Sequence, residues 1–254
     1  MPTYNANAIV LHRLSFGETD RIATLYTRER GKLAAIAKGA RKPVSRLAGA
    51  TEVLTYGKFH LATGKNLDII AQVEVKESFP RIHQDLSRIA YATYMAEVVD
   101  RMVEEHEANP DIFDLLLSAL YLTERPNDPE KIAHMFELQF MALIGYEPEL
   151  ERCLRCRAPL HGDELYFSPS MGGLVCTDCG PLPGDAIQVM PETVKTMRRL
   201  LTAEAPEVER MEIPRDIMDQ IARVMRWYIR YRAERELKSL EFLQTLRLGA
   251  GNEE

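Results

Sequence analysis

Leu25-Tyr26-Thr27-Arg28-Glu29-Arg30-Gly31-Lys32-Leu33 joins two β-rich runs, Arg21 to Thr27 and Lys32 to Lys38, and its glycine stands where a hairpin loop needs positive φ. The two runs therefore read as antiparallel neighbours. Working outward, Ala8 to Leu14, Val53 to Ala62 and Leu67 to Lys76 are further strand candidates, with a second tight turn at Thr63-Gly64-Lys65-Asn66. Adjacent strands are expected to pair antiparallel. Five short strands before Pro80 fit a small closed or partly open barrel, for which the OB-fold is the common five-stranded form and an SH3-like barrel the competing one.

Beyond Pro80 the apolar period changes from two to about 3.6, and Leu86, Ile89, Ala90, Tyr94, Val98 and Met102 form one stripe of a helix expected near 84–106. Asn109-Pro110-Asp111 and Asp128-Pro129-Glu130 each supply a capping side chain, a proline at the first helical position and an acid in the first turn, so two more helices start there. The second of these is expected to end at Gly145. Helical signals stop over 151–184 and return at Pro191 and Pro214. The helix after Pro214 is expected to bury Ile217, Ile221, Val224, Tyr228 and Tyr231.

Composition sets the class. Of 254 residues 46% are apolar and 28% charged, as in an ordinary globular chain, and no stretch approaches the roughly 18 apolar residues of a membrane span. The first residues, Met-Pro-Thr-Tyr-Asn-Ala-Asn, lack the pattern of a secretory signal, so a cytosolic location with reduced thiols is expected. The net charge of -6 is unevenly spread. Residues 1–80 hold 12 Lys+Arg against 7 Asp+Glu, a balance of +5, which leaves 20 against 31, or -11, for the remainder. A basic N-terminal module suits a polyanion, whereas an acidic body does not.

Cys153, Cys156, Cys176 and Cys179 are spaced Cys-x2-Cys, 19 residues, Cys-x2-Cys, the pattern of a four-cysteine zinc site. Four thiolates leave no open coordination position, so one structural Zn2+ per chain is expected. Between residues 28 and 46, Arg28, Arg30, Lys32, Lys38, Arg41, Lys42 and Arg46 face a single acid, Glu29. Phosphates are their natural ligand, and Tyr26, Tyr56 and Phe59 are the rings on which bases of a single strand would stack; a solvated hairpin is the alternative. On the last long helix Arg223, Arg226, Trp227 and Arg230 suggest a site for an acidic peptide, against the alternative of core aromatics flanked by solvated arginines.

Catalytic signatures are absent from the sequence. The run ending Gly64-Lys65-Asn66 fails as a phosphate loop because Phe59 and Asn66 replace the glycine and the hydroxyl residue that nucleotide binding needs. The six histidines show no ligand spacing, so no enzymatic activity and no nucleotide are expected. A protein-binding zinc-ribbon scaffold and a nuclease built from scattered carboxylates are the rival readings.

Three groups of residues carry a resemblance. Ser15-Phe16-Gly17-Glu18-Thr19-Asp20, Thr27-Arg28-Glu29-Arg30-Gly31-Lys32 and Ala37-Lys38-Gly39-Ala40-Arg41-Lys42-Pro43-Val44-Ser45 lie near the start. Phe136-Glu137-Leu138, with Leu143-Ile144-Gly145-Tyr146-Glu147-Pro148 before Cys153, lies in the middle, and Lys238-Ser239-Leu240-Glu241-Phe242-Leu243 near the end. In order and spacing they resemble RecO, the bacterial DNA repair and recombination mediator family of the RecF pathway. The resemblance implies an α+β, multi-domain chain: an N-terminal five-stranded OB-fold barrel followed by an α-helical domain with an inserted four-cysteine zinc finger. Its expected divisions are 1–80 for the barrel, 81–150 and 187–247 for the helical domain, 151–186 for the insert and 248–254 for a disordered tail. It also implies binding of single- and double-stranded DNA, strand annealing and, with RecR, loading of RecA onto DNA coated by single-strand-binding protein. The acidic C-terminal tail of that coating protein would be the ligand of the Arg223–Arg230 segment, and the location would be the bacterial cytoplasm, at the nucleoid.

Overall fold

The computed structural model describes residues 1–160, 164–180, 184–233, 237–240, 242–243 and 245. The tail expected to be disordered, 248–254, lies outside them. Strands β1 (Thr3–Phe16), β2 (Asp20–Thr27) and β3 (Gly31–Ala37) are followed by the short helix α1 (Arg46–Ala50), then β4 (Tyr56–Ala62) and β5 (Asp68–Glu77). They close a barrel in the order β1-β2-β3-β5-β4, with β4 returning to β1. Five strands in this order, with a helix between β3 and β4, make the OB-fold. Closure requires one parallel contact, Ala35 with Asp68 and Ile36 with Ile69, between β3 and β5, so the antiparallel expectation holds for every pair but this one.

Strand alternation fills the barrel. Ala6, Ala8, Ala23, Ala35 and Ala37 point inward among Leu25, Leu33, Phe59, Leu61 and Ile70, so small side chains leave room for the few large ones at the axis. Gly31 closes the β2–β3 hairpin with φ of 69°, and a Cβ there would meet the Glu107 carbonyl oxygen at 2.2 Å. Glycine therefore serves both the left-handed turn and the close approach of another segment.

Helices α2 (Pro80–Gln84), α3 (Leu86–Met102) and α4 (Pro110–Glu124) belong to the same compact unit as the barrel, residues 1–126 with the described residues from 237 on. The helix expected over 84–106 is α3, two residues shorter at its start, where Asp85 turns extended and caps it by accepting from the Arg88 amide at 2.9 Å, and four shorter at its end; the short α2 before it was not expected. Asn109 caps α4 as expected. Phe113 of α4 meets the Tyr26 and Tyr56 rings at 6.3 and 6.1 Å, which is why this helix joins the barrel rather than the later helices.

Residues 127–236 form a second unit. Here α5 (Pro129–Leu143) starts at the expected Asp128 cap and gives way to Gly145, whose φ of 83° stops the helical path. Strands β6 (Leu165–Ser168), β7 (Gly173–Cys176) and β8 (Ile187–Val189) pair in the order β7-β6-β8, and α6 (Pro191–Thr202), α7 (Ala205–Arg210) and α8 (Arg215–Ala233) complete the unit. The segment over which helical signals stop thus carries strands of its own. Phe167 of β6 is fully buried edge-on against Tyr228 of α8, 5.5 Å between centroids, so the segment shares an apolar core with the helices. The helices expected to form one domain over 81–150 and 187–247 are divided between the two units. Among the described residues no helix is long and apolar enough to cross a membrane.

Candidate nucleic-acid interface and metal centre

The seven basic residues that are close in sequence separate in space. Strand β3 runs seven residues between them, about 20 Å at the rise of an extended chain, so Arg28, Arg30 and Lys32 lie at one end and Lys38, Arg41, Lys42 and Arg46 at the other. The first group is engaged in holding the barrel's own unit together. Arg28 forms two bonds to the Asp114 carboxylate of α4, at 2.8 and 3.0 Å, which hold that carboxyl below the usual carboxylate range. Lys32 donates to the Asp100 backbone carbonyl and keeps the Asp100 carboxylate at 3.9 Å. The Arg30 guanidinium lies 3.8 Å over the Tyr4 ring. Arg28 and Lys32 are thus ties between barrel and helices, Arg28 through an exposed pair and Lys32, expected as a phosphate ligand, through a largely buried one.

The second group is exposed on the turn after β3 and at the start of α1. Its backbone is fastened to the β1–β2 hairpin. The Gly39 amide donates to Asp20 Oδ1 at 2.8 Å, the Arg41 amide to the Thr19 carbonyl at 2.9 Å, and the Arg41 guanidinium to the Gly17 carbonyl at 3.0 Å. The Gly39 N–H, then the Thr19 hydroxyl and the charges of Lys38 and Lys42, hold the Asp20 carboxyl below its ordinary value. Ser45 caps α1 through the Leu47 amide and so fixes where Arg46 emerges. The result is a cationic rim built on two mutually braced loops of the barrel.

The proposed stacking rings are corrected. Phe59 points into the barrel and is fully buried, as the alternation Gly57, Phe59, Leu61 inward and Tyr56, Lys58, His60 outward requires. No base can reach it. Tyr26 is also fully buried, its hydroxyl donating to the Asn109 carbonyl at 3.3 Å, and Tyr56 is half-buried against Phe113 with the Lys76 ammonium 5.4 Å from its ring. Phe16, half exposed at the end of β1, is an aromatic residue at a hairpin tip that no inward alternation claims.

On α8 the buried face carries Ile217, Ile221, Val224 and Tyr228, whereas Tyr231 is half exposed, against expectation. It lies a helical turn past Trp227, 50% exposed, on the side that also bears Arg223 and Arg230; Arg226 is half-buried. Arg232, in the same basic stretch of sequence, fans over the Tyr146, Tyr228 and Tyr231 rings at 5.1 to 5.4 Å and donates to the Ser170 carbonyl.

Two tight turns present the cysteines. The Arg157 amide returns to the Cys153 carbonyl at 2.9 Å with Arg157 in a left-handed conformation, placing Cys153 and Cys156 side by side. Cys176 ends β7 and Cys179 ends the single 3-10 turn that follows. All four sulfurs lie within 4.8 Å of one another, and Cys156 and Cys176 are 3.8 Å apart, against about 3.8 Å for the edge of a tetrahedron of 2.3 Å metal–sulfur bonds. Burial opposes ionisation of Cys153, but the amides of Cys156, Cys176 and Arg155 outweigh it and bring the thiol down to about 6. Four cysteine sulfurs gathered this closely are a donor set for a soft or borderline divalent ion, enough to fill every position of a tetrahedron.

A basic-rimmed OB barrel, joined in one chain to helices and a four-cysteine cluster that could hold a metal ion, defines a multi-domain protein of the barrel-and-helix class. Two family models cover it: the one described as Recombination protein O N terminal matches residues 1–79, and Recombination protein O C terminal matches 83–241. The chain belongs to the RecO family of DNA repair proteins. It is 40% identical to DNA repair protein RecO of Pelotomaculum thermopropionicum over 96% of this chain and 94% of that protein. It is 37% identical to the RecO of Symbiobacterium thermophilum, over 97% and 99% of the two chains, and 38% identical to that of Heliobacterium modesticaldum, over 97% and 91%.

Proposed function

We propose that this chain binds single- and double-stranded DNA through the rim of its barrel, anneals complementary strands and, with RecR, helps to load RecA onto DNA coated by single-strand-binding protein. The observation that carries this reading is the exposed set Lys38, Arg41, Lys42 and Arg46 on loops that the Asp20, Thr19 and Gly17 bonds hold in place. Cations on braced loops engage phosphates with little backbone ordering and without reading sequence, so binding is salt-sensitive and sequence-tolerant. Annealing needs no reacting group. Base pairing supplies the free energy, and the protein screens two phosphate chains and keeps them close. The chain accordingly acts as a binding protein rather than an enzyme, in the cytoplasm.

The four thiolates hold Zn2+, for which a closed sulfur tetrahedron is the usual structural site. Zinc there orders the turns that carry the cysteines and takes no part in DNA chemistry. Arg223, Arg226, Trp227 and Arg230 on α8 offer cations beside an exposed ring, which suits the acidic tail of single-strand-binding protein. The test of the function is an annealing assay with two complementary oligonucleotides, one labelled. We expect faster duplex formation with the protein, with no nucleotide or added divalent ion and no shortening of either strand. Unaccelerated annealing with no retardation of either strand would favour the protein scaffold, and metal-dependent shortening the nuclease.

A further inference from the structure

We propose that Phe16 is the base-stacking ring of the barrel's DNA site, selecting unpaired over paired nucleic acid; this rests on the DNA-binding reading above. The placement follows from register. Phe16 stands directly opposite Asp20 across the β1–β2 hairpin, and residues paired in this way send their side chains to the same face. The Asp20 side chain on that face accepts the Gly39 amide of the basic turn at 2.8 Å, and Lys38 and Lys42 are close enough to act on its charge. The ring therefore shares a face with the cations.

Its neighbours hold it there. The carbonyl of the next residue, Gly17, accepts the Arg41 guanidinium, so hairpin tip and basic turn form one braced element. The ring is 50% exposed, as is Leu14 two residues earlier on the same face, 56% exposed, whereas Tyr26 and Phe59 are spent on packing. A half-exposed aromatic residue on the face that Asp20 shares with the basic turn meets the requirement of a single-strand site: charge for the backbone, a π-face for the base. Duplex DNA, whose bases are already stacked on each other, gains nothing from the ring.

The experiment is fluorescence anisotropy on the full chain with Phe16→Ala, Phe16→Leu and Phe16→Trp, using a labelled oligothymidylate and a duplex of equal length over a range of salt. We expect Phe16→Ala and Phe16→Leu to weaken single-strand binding about tenfold, and Phe16→Trp to keep it, because stacking tolerates any base but needs a ring. Duplex affinity and the slope of log affinity on log salt should be unchanged in all three, since no phosphate contact is lost. Wild-type affinity in Phe16→Leu, equal losses on duplex and single strand, or a shallower salt slope would each overturn the assignment. The first would make the side chain merely apolar, the other two a prop for the basic turn. A wild-type protein that binds neither DNA would overturn the underlying reading, and this one with it.

Discussion

Replacing Cys153 with serine is expected to abolish metal binding and open the segment around β6, β7 and β8 to protease. Cys153 is fully buried, and its sulfur accepts the Cys176 amide at 3.4 Å, so it links the two cysteine turns even before a metal is counted. Serine is a poor ligand for a soft site, and a three-thiolate remnant loses the closed tetrahedron. Structural zinc contributes about 10–16 kcal/mol of apparent binding free energy in small finger peptides, and that free energy is folding free energy. Here part of the segment's order comes from Phe167 against Tyr228, so the expected outcome is local opening with α5 and α8 still helical. Metal analysis should give one zinc per wild-type chain and none per variant. Limited proteolysis should cut the variant between residues 151 and 189 well before any site in the barrel. A Cys153→Ser protein that keeps one tightly bound zinc would show that the four sulfurs are not the site.

Reversing three charges at once, Lys38→Glu, Arg41→Glu and Lys42→Glu, is expected to reduce single-strand affinity at least a hundredfold at low salt. Each phosphate contact on a single strand contributes about 0.7 to the slope of log affinity on log salt, so losing three should make that slope shallower by about 2. The turn itself should survive. The Gly39 to Asp20 and Arg41 to Thr19 bonds use backbone donors that the substitutions leave in place. Because glutamates beside Asp20 add repulsion, the alanine triple variant is the matched control, with the same change of slope and a smaller loss of affinity. Arg28→Glu supplies the contrast. It lies in the same run of basic sequence but at the other end of β3, paired with Asp114, and should leave the salt slope alone. Equal effects of Arg28 and the triple variant would mean that DNA follows net charge rather than the rim.

Local signals carried most of the fold. The Asn109 and Asp128 caps, the hairpin glycine Gly31 and the cysteine spacing each involve residues within a few positions of one another, and each stands where the sequence placed it. What the sequence could not supply was the long-range part. Nothing near Ala35 announces its parallel partner Asp68, and nothing near Tyr56 announces that Phe113, far along the chain, covers it. The burial of Phe59 was legible, however, from the inward alternation with Gly57 and Leu61. The splitting of the basic run was legible too, since a seven-residue strand cannot bring its two ends together. Charge clusters in sequence become patches in space only after the strand that separates them has been measured.

The most direct test is the affinity of the wild-type chain for a labelled mixed-sequence single strand, measured by anisotropy at several salt concentrations. A cationic rim of Lys38, Arg41, Lys42 and Arg46 predicts tight binding at low salt and a linear fall of log affinity with log salt, with a slope near 3 for about four phosphates. No binding at low salt, or an affinity indifferent to salt, would contradict it.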